Sequence, residues 1–393
     1  MNMINVRRLA VMTFLGAGML SDISAQDFSL QADTLNEARL PAQWDLQSCI
    51  DYALEQNITI RKNRVTAEST QIDVKTAKAA LFPSLSFSTS QQVVNRPYQE
   101  TSSRVSGSEI ISSNSKTSYN GNYGLNASWT IYNGSKRLKT LKQERLNNQV
   151  AELDVATSEN MIKESIAQIY IQILYAAESV RVNENTLQVS IAQRDRGQEL
   201  LNAGSIAKSD FAQLEAQVST DRYQLVTAQA TLQDYKLQLK QLLELDGENE
   251  MNVYLPKLSD ENVLAPLPAK KDVYVSALAI RPEIEASKLN VEASELGIDI
   301  AKSSYFPTIS LSAGIGTNHT SGSDFTFGEQ VKNGWNNSIG LSVSVPIFNN
   351  RQTKSAVQKA KLQRETDMLS LLDEQKALYK TIESLWLDAN SAQ

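Results

Sequence analysis

Residues 119–131 read YNGNYGLNASWTI, with Tyr119, Tyr123, Leu125, Ala127, Trp129 and Ile131 alternating against Asn120, Asn122, Gly124, Asn126, Ser128 and Thr130. Successive side chains of a strand point to opposite faces, so this stretch has one apolar and one small polar face. Three other stretches share the pattern. Leu85, Phe87 and Thr89 alternate with Ser86, Ser88 and Ser90. Ile309, Leu311, Ala313 and Ile315 alternate with Ser310, Ser312, Gly314 and Gly316. Trp335, Ile339, Leu341, Val343, Val345 and Ile347 alternate with Asn336, Ser338, Gly340, Ser342 and Ser344. None of the four carries Asp, Glu, Lys or Arg, whereas a soluble sheet usually places charge on its outer face. Their length matches the ~9–11 residues a strand needs to cross a bilayer. Tyr119, Trp129, Tyr132, Trp335 and Phe348 lie toward segment ends, where aromatic girdles belong.

The pattern therefore favours a transmembrane barrel over a soluble sheet. On that reading Ser86, Ser88, Asn122, Asn126, Ser128, Ser310, Ser312, Ser342 and Ser344 line a wetted lumen. Leu85, Phe87, Tyr123, Leu125, Trp129, Ile309, Leu311, Leu341, Val343 and Val345 face lipid. Known barrels close at ~8 strands or more, and an open edge in lipid leaves backbone groups unsatisfied. Four strands must then be completed by other copies. The Ser, Thr, Gly and Asn-rich segments Asn95–Ser118 and Thr317–Gly334 read as extracellular loops.

The four segments sit in a duplicated chain. Ile60–Phe87 lies over Ile284–Leu311 without a gap, and both copies pass through Ala-Lys to Phe-Pro. Gly124–Asn133 likewise lies over Gly340–Asn349. The expected organisation is a first repeat at 26–255, a Pro-rich linker at 256–270 and a second repeat at 271–393. In the first repeat Ile162, Ile166, Ile169, Ile173, Ala176 and Val180 fall at spacings of four and three, as do Leu214, Val218, Asp221, Leu225, Ala228 and Leu232. Such a seam winds two long helices together. They break at Asn202-Ala203-Gly204-Ser205, with Ser209 or Asp210 as the expected cap of the returning helix. A second stripe through Tyr170, Leu174 and Ala177 suggests packing on two sides, as in a ring of helices rather than a rod. Each repeat opens with a shorter helix; Asp45 is the expected cap of the first, and Asn57-Ile58 and Arg281-Pro282 mark equivalent breaks. Gln393 lies opposite Ala177, so some 68 residues of the first repeat have no counterpart, and the second repeat reads as C-terminally incomplete.

Arg7-Arg8, an apolar run from Leu9 to Leu20 and a small residue at Ala25 read as a secretory leader over residues 1–25. The net charge of −6 gives no general attraction for nucleic acid. The single cysteine, Cys49, occupies an apolar helix position and reads as core. The single histidine, His319, reads as solvent-exposed in a polar loop. No metal-ligand cluster, phosphate loop or nucleophile elbow appears, so neither a cofactor nor an enzyme activity is expected.

Trp44-Asp45-Leu46, Cys49-Ile50, Phe82-Pro83, Tyr132-Asn133-Gly134, Asn202-Ala203-Gly204-Ser205-Ile206 with Ser209-Asp210, and Val345-Pro346-Ile347-Phe348 together resemble the TolC-like outer membrane efflux protein family. No single motif is specific; order, spacing and duplication carry the likeness over nearly the whole chain after the leader. The resemblance implies an α+β membrane protein, a homotrimer with a twelve-stranded outer-membrane barrel continued by an α-helical barrel across the periplasm. It implies a passive exit duct in a tripartite efflux or type I secretion system, docked to a periplasmic adaptor (membrane fusion protein) and an inner-membrane transporter. It also makes Asn202, Gly204, Ser205, Ile206, Ser209 and Asp210 the entrance tip that meets the adaptor. Asp210 matches a carboxylate that helps hold such entrances closed, and reads equally as a helix cap. The alternative is a periplasmic adaptor or coiled-coil scaffold, which should show one helical hairpin flanked by compact β-domains.

Overall fold

The computed structural model describes residues 41, 43–98, 102–106, 109–113, 116–245, 251–256, 266–321, 323 and 325–392. The leader at 1–25, linker residues 257–265 and Gln393 lie outside these. The first helix, α1 (Leu46–Gln56), starts where Asp45 Oδ1 accepts the Ser48 N–H at 2.7 Å. It stops at Asn57, whose extended backbone (φ −61°, ψ 126°) begins α2 (Ile58–Ala79). Asn57 Oδ1 takes the N–H groups of Thr59 and Ile60, satisfying donors a helix start leaves unpaired. In the second repeat Arg281 has the same backbone (φ −68°, ψ 123°) between α5 (Lys270–Ile280) and α6 (Pro282–Ser303). Pro282 takes the first helical position, where its missing N–H costs nothing.

The strands and long helices repeat in the same way. After α2 come β1 (Ser84–Asn95), β2 (Ser102–Ser106), β3 (Glu109–Ser113), β4 (Thr117–Asn133), α3 (Lys136–Asn202) and α4 (Lys208–Leu242). After α6 come β5 (Thr308–Thr320), α7 (Phe327–Asn333), β6 (Asn336–Ser344) and α8 (Gln352–Ala392). Between β4 and α3 the chain turns through two left-handed residues, Gly134 (φ 67°) and Ser135 (φ 63°). The equivalent corner before α8 uses Asn350 (φ 48°) and Arg351 (φ 65°). Backbone geometry is thus kept at this corner even where glycine is not. Gly134 is also closely packed: a Cβ there would lie 2.7 Å from the Ser303 carbonyl oxygen, and Ser303 Oγ donates to the Gly134 carbonyl at 2.9 Å.

Strand order β1-β4-β5-β6 is antiparallel throughout, and the helices joined to those strands pack in the matching order α2-α3-α6-α8. The result is a wall one element thick, with a sheet at one end and helices continuing it. Along its first half α3 lies between α2 and α6, tied by Arg64–Glu159 at 2.9 Å, Thr70–Asn148 at 3.1 Å and Gln143 to the Ala293 carbonyl at 3.0 Å. Along its second half it pairs with α4. The main core forms where the two halves meet, from Trp44, Cys49, Ala53, Ile166, Tyr170, Ile173, Leu239, Leu243, Met251 and Val253. Cys49 is fully buried there, and burial pushes its thiol up to about 12. Tyr170 Oη donates to the Tyr254 carbonyl at 2.6 Å; its repeat equivalent, Trp386, donates Nε1–H to the Pro268 carbonyl at 3.1 Å. Lys270 adds an ion pair to Glu383 at 3.0 Å and stands 5.0 Å from the Trp386 ring. The chain on either side of residues 257–265 is therefore fastened to a long helix.

Both inter-strand segments read as loops hold regular structure. Within Asn95–Ser118, β2 and β3 form a two-stranded ladder. Within Thr317–Gly334, β5 continues to Thr320 and is followed by α7, started by a Thr326/Glu329 capping box. The strict alternation of β4 also breaks. Its register to β5 shifts between Thr130 and Tyr132, leaving Ile131 as a bulge, and the Thr130 carbonyl accepts Arg137 Nη1 at 2.5 Å.

Two outcomes test these local assignments. Gly134→Ala should lower the unfolding free energy of detergent-solubilised protein by at least about 1–2 kcal/mol, the cost of a left-handed residue with a Cβ, and so move its urea midpoint down. Hydrogen bonds from Ser48, its side chain and then its N–H, hold Asp45 below the usual carboxylate range. Its contribution is present above the unfolded pKa and lost as pH falls through the lower folded value. The gap in urea midpoint between wild type and Asp45→Ala should therefore shrink from about pH 6 to about pH 3.

Candidate functional site: a two-faced sheet and a helical tip

Register in the four-stranded sheet decides which side chains share a face. Ser84 faces Ser128, and Ser128 faces Ser312, which in turn faces Gly340. Ser86, Asn126, Gly314 and Ser338 form the next polar row, and Ser88, Gly124, Gly316 and Asn336 the one after. Thr130, Ser310 and Ser342 make another, while Ser344 faces Thr308 and Asn122 faces Ser90. All nine residues assigned to a lumen thus fall on one face. Polar side chains there bridge strands, as in Ser84–Ser128 at 2.8 Å and Asn126 to Ser88 at 3.4 Å.

The opposite face is apolar along its rows. Leu85, Ala127, Ala313 and Ile339 make one row; Trp129, Leu311 and Leu341 make another; Val343 and Ile309 are paired. Leu125 faces Phe87 and Ile315, and Tyr123 faces Thr89 and Thr317. Val345 lies just past the end of β6 and is exposed. Nothing among the described residues covers the apolar face over most of its height: Leu85 is 69% exposed, Leu341 64% and Ile339 78%. Burial of such side chains contributes roughly 1.5–3 kcal/mol each, so leaving a continuous row in water is a large forfeit. β1, β4, β5 and β6 contain no Asp, Glu, Lys or Arg. Trp129 donates Nε1–H to the Leu81 carbonyl at 2.8 Å, fixing one end of the sheet to the α2–β1 corner.

His319 is not a free loop residue. It lies in β5 opposite Gly121, stacked on Tyr123 (5.9 Å between centroids) and edge-on to Phe327 of α7 (5.2 Å). A Cβ on Gly121 would come within 2.1 Å of the His319 ring, so the glycine makes room for it. The sequence signal is faint: strand pairing brings Tyr123 and Gly121 to the ring, and α7 brings Phe327.

At the far end of α3, Asn202 is the last helical residue and Gly204 (φ 76°) turns the chain. The Gly204 and Ser205 N–H groups return to the carbonyls of Leu201 and Leu200, at 2.9 and 2.8 Å. Ile206 folds back toward Gly197, while Asn202, Gly204, Ser205, Ser209 and Asp210 are exposed. Neither Ser209 nor Asp210 caps α4. Ala207 holds that position, and Asp210, three residues into the helix, reaches back to accept the Ala207 N–H at 3.4 Å. Ser209 Oγ donates to Asp210 Oδ1 at 3.2 Å. No group of three or more metal-ligating side chains occurs among the described residues, and no described helix is long and apolar enough to cross a membrane.

This arrangement has close counterparts among known proteins. The solved structure of CusC, described in terms of transmembrane channel formation, superimposes with a TM-score of 0.72 at 19% identity, covering 88% of this chain and 76% of that one. VceC of Vibrio cholerae gives 0.67 at 18% identity, covering 84% and 75%. Among curated sequences, the outer membrane efflux protein BepC of Brucella suis is 26% identical over 60% of this chain and 49% of its own length. The outer membrane protein TolC of Escherichia coli is 24% identical over 68% of this chain and 55% of its own length. The chain thus spans about half the length of these curated relatives. A family model described as outer membrane efflux protein matches residues 49–244 and 273–393. With both the duplicated fold and most of its sequence matched, this chain belongs to the outer membrane efflux protein family.

Proposed function

We propose that the chain is the outer-membrane channel component of a tripartite efflux or type I secretion system, a passive exit duct for drugs, small molecules or proteins. The carrying observation is the sheet with one uncharged apolar face, one small polar face and two unpaired edges. Three copies joined edge to edge, β6 of one to β1 of the next, would give a closed barrel of twelve strands. Ser86, Ser88, Asn122, Asn126, Ser128, Ser310, Ser312, Ser342 and Ser344 then face water inside it, and the apolar rows face lipid. Closure satisfies the edge backbone groups that lipid cannot. The helical wall continues the lumen into the periplasm, and the tip at Asn202–Asp210 docks a periplasmic adaptor bound to an inner-membrane transporter. The duct itself is passive in this reading, and the energy for export comes from that transporter.

Outer-membrane extracts of cells expressing the full chain should contain a heat-sensitive trimer that conducts ions in planar bilayers. Soluble, non-conducting material would refute the assignment. Within that assay the two faces separate. Leu341→Lys should cost about 2–4 kcal/mol near mid-bilayer and deplete the trimer. Ser342→Lys should leave the trimer intact and shift conductance toward anions.

A further inference from the structure

The seam between α3 and α4 contains a buried carboxylate that the channel reading does not use. Asp221 is 3% exposed in the apolar stripe of α4, next to the buried Val218. Across the seam the buried Ser190 Oγ donates to Asp221 Oδ2, and Gln217 Nε2 donates to Oδ1 at 2.8 Å. One heptad nearer the tip, Gly197 stands opposite Leu214: a Cβ on the glycine would lie 2.4 Å from Leu214 Cδ1. One and two heptads the other way, Asn183 with Ala228 and Ala176 with Tyr235 line the same inter-helical groove. These layers follow one antiparallel register. In each, α3 supplies a small or short polar residue, which lets the helices approach closely.

A small-residue seam is smooth and by itself allows more than one stagger. A single polar layer in an apolar seam selects one, because slippage strands the polar group without partners. We propose that Asp221 is a positioning residue: the hydrogen bond it accepts from Ser190 across the seam fixes the stagger of α4 against α3 and so fixes where the tip turn sits, while Gln217, one turn earlier on α4, braces the carboxylate. The consequence for docking rests on the proposed role of the tip; the stagger itself does not. Replacing a buried polar pair by apolar residues of similar size is often neutral or stabilising, and in Asp221→Leu the Ser190 hydroxyl keeps the Thr186 carbonyl, 3.1 Å away, as acceptor, so the proposal assigns the pair to specificity rather than stability.

Double electron–electron resonance on the full chain tests this, with spin labels at the exposed positions Val189 and Tyr223 in a Cys49→Ala background. With doubly labelled chain diluted into excess unlabelled chain, so that an assembly carries a single labelled copy, wild type and Asp221→Asn, which keeps an acceptor for Ser190, should give one narrow distance. Asp221→Leu should melt at or above the wild-type temperature yet give a broadened or split distribution, with components separated by up to about 5 Å, one helical turn. An unchanged single distance in a folded Asp221→Leu would overturn the proposal, as would loss of the single distance in Asp221→Asn. If Asp221→Leu fails to fold, Ser190→Ala decides on the same readout: broadening supports the proposal, an unchanged narrow distance overturns it. None of these readings depends on conductance, so they separate from any failure of the channel assignment.

Discussion

Backbone hydrogen bonding at the edges of the sheet constrains everything else in this molecule. Among the described residues β1 and β6 each present one unpaired edge, and the face between them is a lattice of Leu, Ile, Val, Phe and Trp without a charge. In water that face is costly, and in lipid the edges are costly. In the proposed channel one arrangement removes both costs: a closed cylinder in a bilayer, with the Ser, Asn and Gly rows turned to a wetted interior. One chain has too few strands to close such a cylinder, so on that proposal assembly belongs to the folding problem itself.

The helices answer the same constraint further down. Each outer strand continues into a helix packed in the same order as the strands, so the wall keeps its sequence of neighbours from sheet to helical region. The left-handed corners at Gly134-Ser135 and Asn350-Arg351 make that continuation possible in both repeats. The wall is one layer thick, and among the described residues its main core lies where α1, α3, α4 and the segment around Val253 converge. The phenol of Tyr170 and the indole of Trp386 hold the described linker ends at equivalent heights on two long helices. This fixes the spacing of the repeats where apolar burial alone is thin.

Much of this was legible in the sequence because it is periodic. Period-two alternation placed the polar and apolar faces, and heptads placed the seam of α3 and α4. The shared Ala-Lys to Phe-Pro register exposed the duplication, and the breaks at Asn57 and Arg281 followed from it. What escaped depends on non-local pairing or a single competing contact. Ile131 looks like another alternating residue, but the strand slips there as Arg137 takes the Thr130 carbonyl. Asp210 looks like a cap, but it acts from the third helical position on the N–H of Ala207. His319 sits among Ser, Thr and Gly in sequence, yet strand pairing brings Tyr123 and Gly121 to it. The ladder of β2 with β3 and the short helix α7 lie in segments whose composition is that of loops. Their local cues were the Thr326/Glu329 box and little else.

The most direct measurement is a nitroxide scan along β4 and β6 in reconstituted membranes, comparing collisions with oxygen, which partitions into lipid, and with a water-soluble nickel chelate. Labels at Leu125, Ala127, Leu341 and Val343 should favour oxygen, and labels at Asn126, Ser128, Ser342 and Ser344 the chelate, alternating residue by residue. Equal access of the chelate to both sets, or protection of Leu125 and Val343 from both reagents, would contradict a lipid-facing wall.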